Sequence, residues 1–146
     1  PRKPPIGARP FTTSTIDIDS SVTILRSGNW FLKWNKKGSE VHPRYVWLDT
    51  EKYILSWGKQ KGAPSVLSGH ISVEQIQGVS TSQMVEYEDE VARVFFILII
   101  HTPLRQVYLA TEKREKLDSW YDALNNIAMF YRSHGVLMRE EAPSTE

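Results

Sequence analysis

From Thr111 onward the apolar residues change period, and that change constrains the architecture more than any other feature of the chain. Leu117, Trp120, Tyr121, Leu124, Ile127, Ala128 and Tyr131 fall at +3, +4, +7, +10, +11 and +14 from the first, a 3.6-residue spacing that predicts a one-sided amphipathic helix. Thr111 is placed to cap its start, with Glu112 in the first turn, and Gly135 to stop it. Upstream of Thr111 the apolar runs are short and broken by turn residues, which is the signature of strands. One helix burying a single stripe on an antiparallel sheet is an α+β, mainly β arrangement.

Ser27-Gly28-Asn29 signals a turn, and the aromatic-rich run from Trp30 to Asn35 reads as the first strand. Lys36-Lys37-Gly38-Ser39-Glu40 is a polar connection of hairpin length into a second strand, Arg44 to Leu48. Asp49-Thr50-Glu51 turns the chain into a third, Lys52 to Trp57. Gly58 to Gly69 reads as a mobile loop, Gly69 to Val73 as a fourth strand and Ile76 to Val79 as a fifth. Glu86 to Glu90 reads as an acidic loop before a sixth strand, Arg93 to His101. A turn at Thr102-Pro103-Leu104 then precedes a seventh, Arg105 to Ala110. Seven short antiparallel strands imply a sandwich or a partly open barrel. Thr12 to Ile24, with Ile16, Ile18, Val22 and Ile24 among Ser, Thr and Asp, fits either an extended segment laid on the domain or a linker.

The 146 residues suit one domain with tails, and 40% apolar with 24% charged residues suits a packed core. Absence of cysteine excludes disulfides, thiolate nucleophiles and Cys-bearing zinc sites. The longest apolar run, Val94 to Ile100, is far short of the ~20 residues of a spanning helix. That run implies either burial on both faces or an exposed patch that pairs with another protein. Pro1 to Pro10, with four prolines and Arg2, Lys3 and Arg9, reads as a flexible basic leader. The sequence starts at Pro1, so a lipidation signal further upstream would not be visible in it.

Charge is polarised along the chain. Arg26 to Lys61 holds eight Lys or Arg against three acids, a surplus of five, although the net charge is only +1. Acids gather at Glu86, Glu88, Asp89 and Glu90, and again at Glu140, Glu141 and Glu146. Such polarity can steer one face toward an anionic partner. Lys33, Lys36 and Arg44 converge at the open end of the first hairpin, where ammonium and guanidinium groups can bind phosphate oxygens. Lys37 lies in the same turn, and Lys59 and Lys61, past the third strand, are candidates for the rim.

The order of basic hairpin, further strands and one Trp-bearing closing helix resembles a pleckstrin homology (PH) domain over Gly28 to Tyr131. In that family a lysine on the first strand and an arginine on the second hold headgroup phosphates. Lys33 takes the first place, and His42-Pro43-Arg44-Tyr45-Val46 the second, with His42 where Lys or Arg is typical; Trp120 matches the tryptophan of the closing helix. The resemblance implies a seven-stranded PH-type sandwich at 28–133, after a leader at 1–27 and before a tail at 134–146. It implies a cytoplasmic, peripheral membrane-targeting module without catalytic activity, cofactor or nucleic-acid partner. Its ligand would be an anionic phospholipid headgroup, bound by Lys33, Lys36, Lys37, His42, Arg44, Lys59 and Lys61. Gly28 to Lys36 with Tyr45-Val46-Trp47 resembles the apicomplexan acylated PH-domain proteins and points to phosphatidic acid. The texture of His42 to Trp47 is similar to PH domains of fungal cortical anchors and points to phosphatidylinositol 4,5-bisphosphate. His42, with an unperturbed pKa of ~6.5, adds charge only on acidification or beside a phosphate, which favours the smaller headgroup. The rival class is a protein-interaction module on the same scaffold, binding a peptide at a sheet edge or in an aromatic groove.

The remaining residues carry weaker signals. His70, His101 and His134 lack metal spacing, and the acids at 86–90 lack the Asp/Asn and Gly placement of a calcium loop. Trp30, Trp34, Trp47 and Trp57 fit core and cross-strand packing better than a base-stacking platform.

Overall fold

Among the described residues seven strands run antiparallel in one curled sheet, with two α-helices packed against it and a short 3-10 turn at Val73–Gln75. The computed structural model describes residues 17–62 and 69–134. In chain order the elements are α1 (Ile18–Ser27), β1 (Asn29–Trp34), β2 (Val41–Asp49), β3 (Ile54–Gly58), β4 (Gly69–Ser72), β5 (Gly78–Glu88), β6 (Val91–His101), β7 (Gln106–Thr111) and α2 (Arg114–His134). The strand order β4-β3-β2-β1-β7-β6-β5 leaves β4 and β5 as edges, so the barrel is open between them. Residues 1–16, with most of the expected leader, most of the loop after β3, the expected stop at Gly135 and the residues after it lie outside the described residues.

Sequence periodicity selects which face each strand buries. Phe31, Val46, Leu48, Leu55, Leu98, Ile100, Val107 and Leu109 line the concave side, where Leu117, Trp120, Tyr121, Leu124 and Ile127 of α2 close the core. Trp120 is 2% exposed and meets Phe31 edge-on at 5.0 Å. The apolar run of β6 is buried on both faces. Its convex-side residues Phe95, Ile97 and Ile99 form a second cluster with Ala110, packed by Leu32, Trp34, Met84 and Tyr108.

The N-terminal stretch differs from its expectation. Residues 18–27 are helix, not part of a leader or an extended strip. Asp17 caps α1 by accepting the Ser20 amide at 2.8 Å, which holds its carboxyl below the usual range. Ile16, Ile18, Val22 and Ile24 among Ser, Thr and Asp fit an extended segment or a linker equally. The 0, +4, +7 spacing of Ile18, Val22 and Leu25 is the period that the fold uses, and Leu25 is fully buried. Ser21 and Asn126 join α1 to α2 through a 3.0 Å hydrogen bond.

The acidic loop is also corrected. Glu86 and Glu88 belong to β5, which pairs with β6 from Gly78↔His101 to Glu88↔Val91. The turn shrinks to Asp89-Glu90, with both residues at positive φ, 53° and 67°. A two-residue turn of that hand follows the right-handed twist of the ribbon, and charged residues are tolerated because an edge strand faces water. Thr111 ends β7 instead of capping α2 directly, and its hydroxyl accepts the Lys113 amide at 3.1 Å.

Gly28 joins α1 to β1 at φ 77°, ψ 174°, a region open essentially to glycine alone. A Cβ there would sit 2.6 Å from Tyr45 Cε2 and 2.7 Å from the Val46 carbonyl oxygen. Gly28→Ala is therefore expected to lower the unfolding free energy by about 2 kcal/mol or more, read as an earlier urea midpoint at unchanged slope.

Candidate functional site

The site forms where the β1–β2 and β6–β7 turns meet. Antiparallel pairing aligns Lys33 with His42 and Phe31 with Arg44, so Lys33 and Arg44 share the concave face with the core residues below them. Leu32↔Ala110 and Lys33↔Leu109 then bring the start of β7, and the turn before it, beside the end of β1. Asn35 braces the first turn: its side-chain oxygen accepts the Ser39 and Glu40 amides at 2.9 and 3.3 Å, and its own amide donates to the Glu40 carbonyl at 2.9 Å. Lys36 and Lys37 stand exposed on it.

Lys33 is the centre of the arrangement. It is only 7% exposed, its ammonium lies 4.5 Å from the centroid of the Trp57 ring, and it donates to the Trp34 carbonyl at 3.1 Å. Burial, followed by the charges of Arg105, Arg44 and Lys36, lowers its pKa to about 8. Every charged group acting on it is a cation, so the ammonium is held in repulsion.

Arg105 completes the mouth. Its guanidinium carbon is 5.5 Å from the Trp57 centroid, and burial lowers its pKa. Its Nε is buried without a hydrogen-bond partner. Thr102 fixes the turn that presents it, donating from both amide and hydroxyl to the Arg105 carbonyl at 3.0 and 2.6 Å and accepting the Arg105 amide at 3.1 Å. Trp57, 6% exposed, can spread beneath the two cations because its cross-strand partner is Gly69, and its indole occupies the space of a Cβ there.

The other predicted site residues are distributed differently. His42 points its Nε2 to Glu40 at 3.1 Å, with both side chains about half exposed or more. Lys61 donates to the Ser27 carbonyl at 3.3 Å, beside the C-terminal end of α1, and Lys59 stands exposed after β3. Lys33, Arg44 and Lys36 are brought together; Lys61 is held at α1. Sequence reading missed Arg105 and the part played by Trp57. An arginine just after a Pro-bearing turn is a weak signal, and only the pairing of β7 with β1 gives it meaning.

Among the described residues no group of three or more His, Asp or Glu could hold a metal ion, and no helix is long and apolar enough to cross a membrane. Of the four tryptophans on the hairpin strands, Trp57 faces inward and the others lie on the convex side. There Trp30, 46% exposed, meets Tyr45 edge-on at 5.3 Å.

The family model for the meiotic cell cortex C-terminal pleckstrin homology domain matches residues 17–129. The chain belongs to that family. Its PH match begins at the cap of α1, so the helix missed in the sequence falls within the matched region. Solved structures share the fold, two of them as follows. One is the apicomplexan PH domain from TgAPH, at TM-score 0.51 and 14% identity, covering 80% of this chain and 92% of that one. The other is Inner Membrane Complex Sub-compartment Protein 3 of Toxoplasma gondii, at TM-score 0.52 and 9% identity, covering 84% and 90%. No curated protein sequence matches the chain significantly. PH domains are generally non-enzymatic modules that bind membrane lipids or proteins.

Proposed function

We propose that this PH domain is a peripheral membrane-targeting module whose basic mouth binds the phosphate of an anionic phospholipid headgroup at the cytoplasmic face of a membrane. The observation that carries this reading is the unneutralised cluster around Lys33. A buried ammonium with a pKa of about 8, facing Arg105, Arg44 and Lys36, is an arrangement that an incoming anion relieves. A phosphate can accept from Lys33, the Arg44 fork and the unsatisfied Arg105 Nε together. Lys37 adds long-range attraction, because basic groups near an anionic leaflet contribute ~1 kcal/mol each. Lys59 and His42 contribute at the rim, His42 only after leaving Glu40, and Lys61 only after leaving the Ser27 carbonyl.

The compactness of the cluster favours a single phosphomonoester, as in phosphatidic acid, over a headgroup with several spread phosphates. The phosphoinositide reading remains the second one, supported by the match to the cortical PH family. Co-sedimentation with vesicles of neutral lipid, phosphatidylserine, phosphatidic acid or phosphatidylinositol 4,5-bisphosphate separates them. Binding to phosphatidic acid well above charge-matched phosphatidylserine supports the proposal. Preference for the bisphosphate moves the assignment to the second reading, and absence of binding to every vesicle overturns both.

A bilayer, and not only a soluble phosphate, is favoured by the residue beside Arg105. Leu104 is 82% exposed at the tip of the Thr102-braced turn, and Val41, 39% exposed, pairs with Trp34 at the end of the neighbouring β1–β2 hairpin. Burying a leucine side chain yields about 1.5–3 kcal/mol. Leu104→Ser is expected to weaken vesicle binding about tenfold while leaving NMR-detected binding of glycerol 3-phosphate unchanged, since that ligand offers no apolar phase.

A further inference from the structure

The long β5–β6 ribbon has properties that the basic mouth does not explain. Burial along β5 ends at Ser80, and from Val85 to Glu88 every residue is exposed. β5 is an edge strand among the described residues, so one side of its backbone has no strand partner there. The two faces of the ribbon tip differ in chemistry. Val85↔Val94 and Tyr87↔Ala92 lie on one face; Glu86↔Arg93 and Glu88↔Val91 lie on the other. Val85, Tyr87 and Val91 are 46%, 75% and 61% exposed. Glu86, Glu88, Asp89 and Glu90 give the tip a strongly negative field, and Arg93 is engaged by Glu112 at 2.5 Å and Glu88 at 3.6 Å.

We propose that the free edge of β5 at residues 82–88 is a docking site for an extended, basic segment of a partner protein, which adds as a further strand. Charge decides the occupant. A second copy pairing edge to edge would bring Glu86 and Glu88 toward their equivalents, and like charges opposite one another across a ladder are destabilising. A strand alternating Lys or Arg with apolar residues would pair its cations with Glu86 and Glu88 and cover Val85 and Tyr87. Position makes this compatible with membrane binding. The β6–β7 turn sits at the mouth, and the β5–β6 turn lies ten residues back along β6, about 33 Å at strand rise. The ribbon tip and the mouth can be occupied at the same time.

The test uses the whole chain and a seven-residue peptide alternating lysine and valine, followed by amide hydrogen exchange and two-dimensional NMR. The expected result is protection of amides in 82–88 and loss of binding in Glu86→Lys/Glu88→Lys. That variant should instead bind a peptide alternating glutamate and valine. The Lys33→Met variant should retain the lysine peptide, which separates failure of this site from failure of the membrane reading. Equal binding of a proline-interrupted peptide of the same charge overturns strand addition. So does concentration-dependent dimerisation through β5, or absence of protection at millimolar peptide.

Discussion

Lys33→Glu combined with Arg44→Glu is expected to reduce binding to phosphatidic acid vesicles by a hundredfold or more in co-sedimentation. Reversing two cations changes the local charge by four units, and at ~1 kcal/mol per charge near an anionic leaflet this is about 4 kcal/mol, close to a thousandfold. The loss of directed hydrogen bonds to phosphate adds to it. Because Lys33 is buried, a glutamate there could act by unfolding the site, so Lys33→Met is the decisive companion. Methionine keeps the length and the apolar stem while removing an ammonium that is repelled by Arg105, Arg44 and Lys36. It should unfold at a higher urea concentration than wild type and still bind vesicles at least tenfold more weakly. A residue present for stability would show the opposite pairing of effects. Full vesicle binding by a folded Lys33→Met protein would remove Lys33 from the site.

The parts of this design that were legible in the sequence are those with a local period. The stripe from Leu117 to Tyr131 reports a buried face within one element, and it is seen in the fold. The burial of Lys33 was not legible in this way, because Leu32 and Trp34 flank it with apolar side chains that pack on the convex face while Lys33 turns to the concave one. Arg105 was not legible, because its meaning depends on β7 lying against β1, a contact between residues more than seventy positions apart. The same holds for Gly69, whose missing side chain makes room for Trp57 across a strand pair. α1 was misread for a different reason. Ile and Val suit strands by propensity, and only the cap at Asp17 and the packing of Leu25 and Ser21 against the core override that preference. The acidic run at 86–90 was misread because charge was taken as a sign of a loop, whereas an edge strand carries charge readily.

Lys33 also gives the protein an unusual pH response, with opposite signs for stability and for binding. Its folded pKa is about 8 and its unfolded value is 10.5, so between those limits the unfolded chain holds more protons. Unfolding free energy therefore rises with pH across that window, by about 3 kcal/mol in the difference between wild type and Lys33→Met; below pH 8 both states are protonated and the penalty on the fold is constant. Anion binding runs the other way, because the phosphate needs the ammonium. Between pH 7 and 9 the protonated fraction of the free site falls from about nine-tenths to about one-tenth, so vesicle affinity is expected to fall about tenfold. Lys33→Arg keeps its charge throughout and supplies the reference that cancels ionisation of the lipid phosphate itself. Equal pH profiles for wild type and Lys33→Arg would mean that Lys33 does not meet the anion, whereas a tenfold divergence confined to pH 7–9 would tie headgroup capture to this one buried amine.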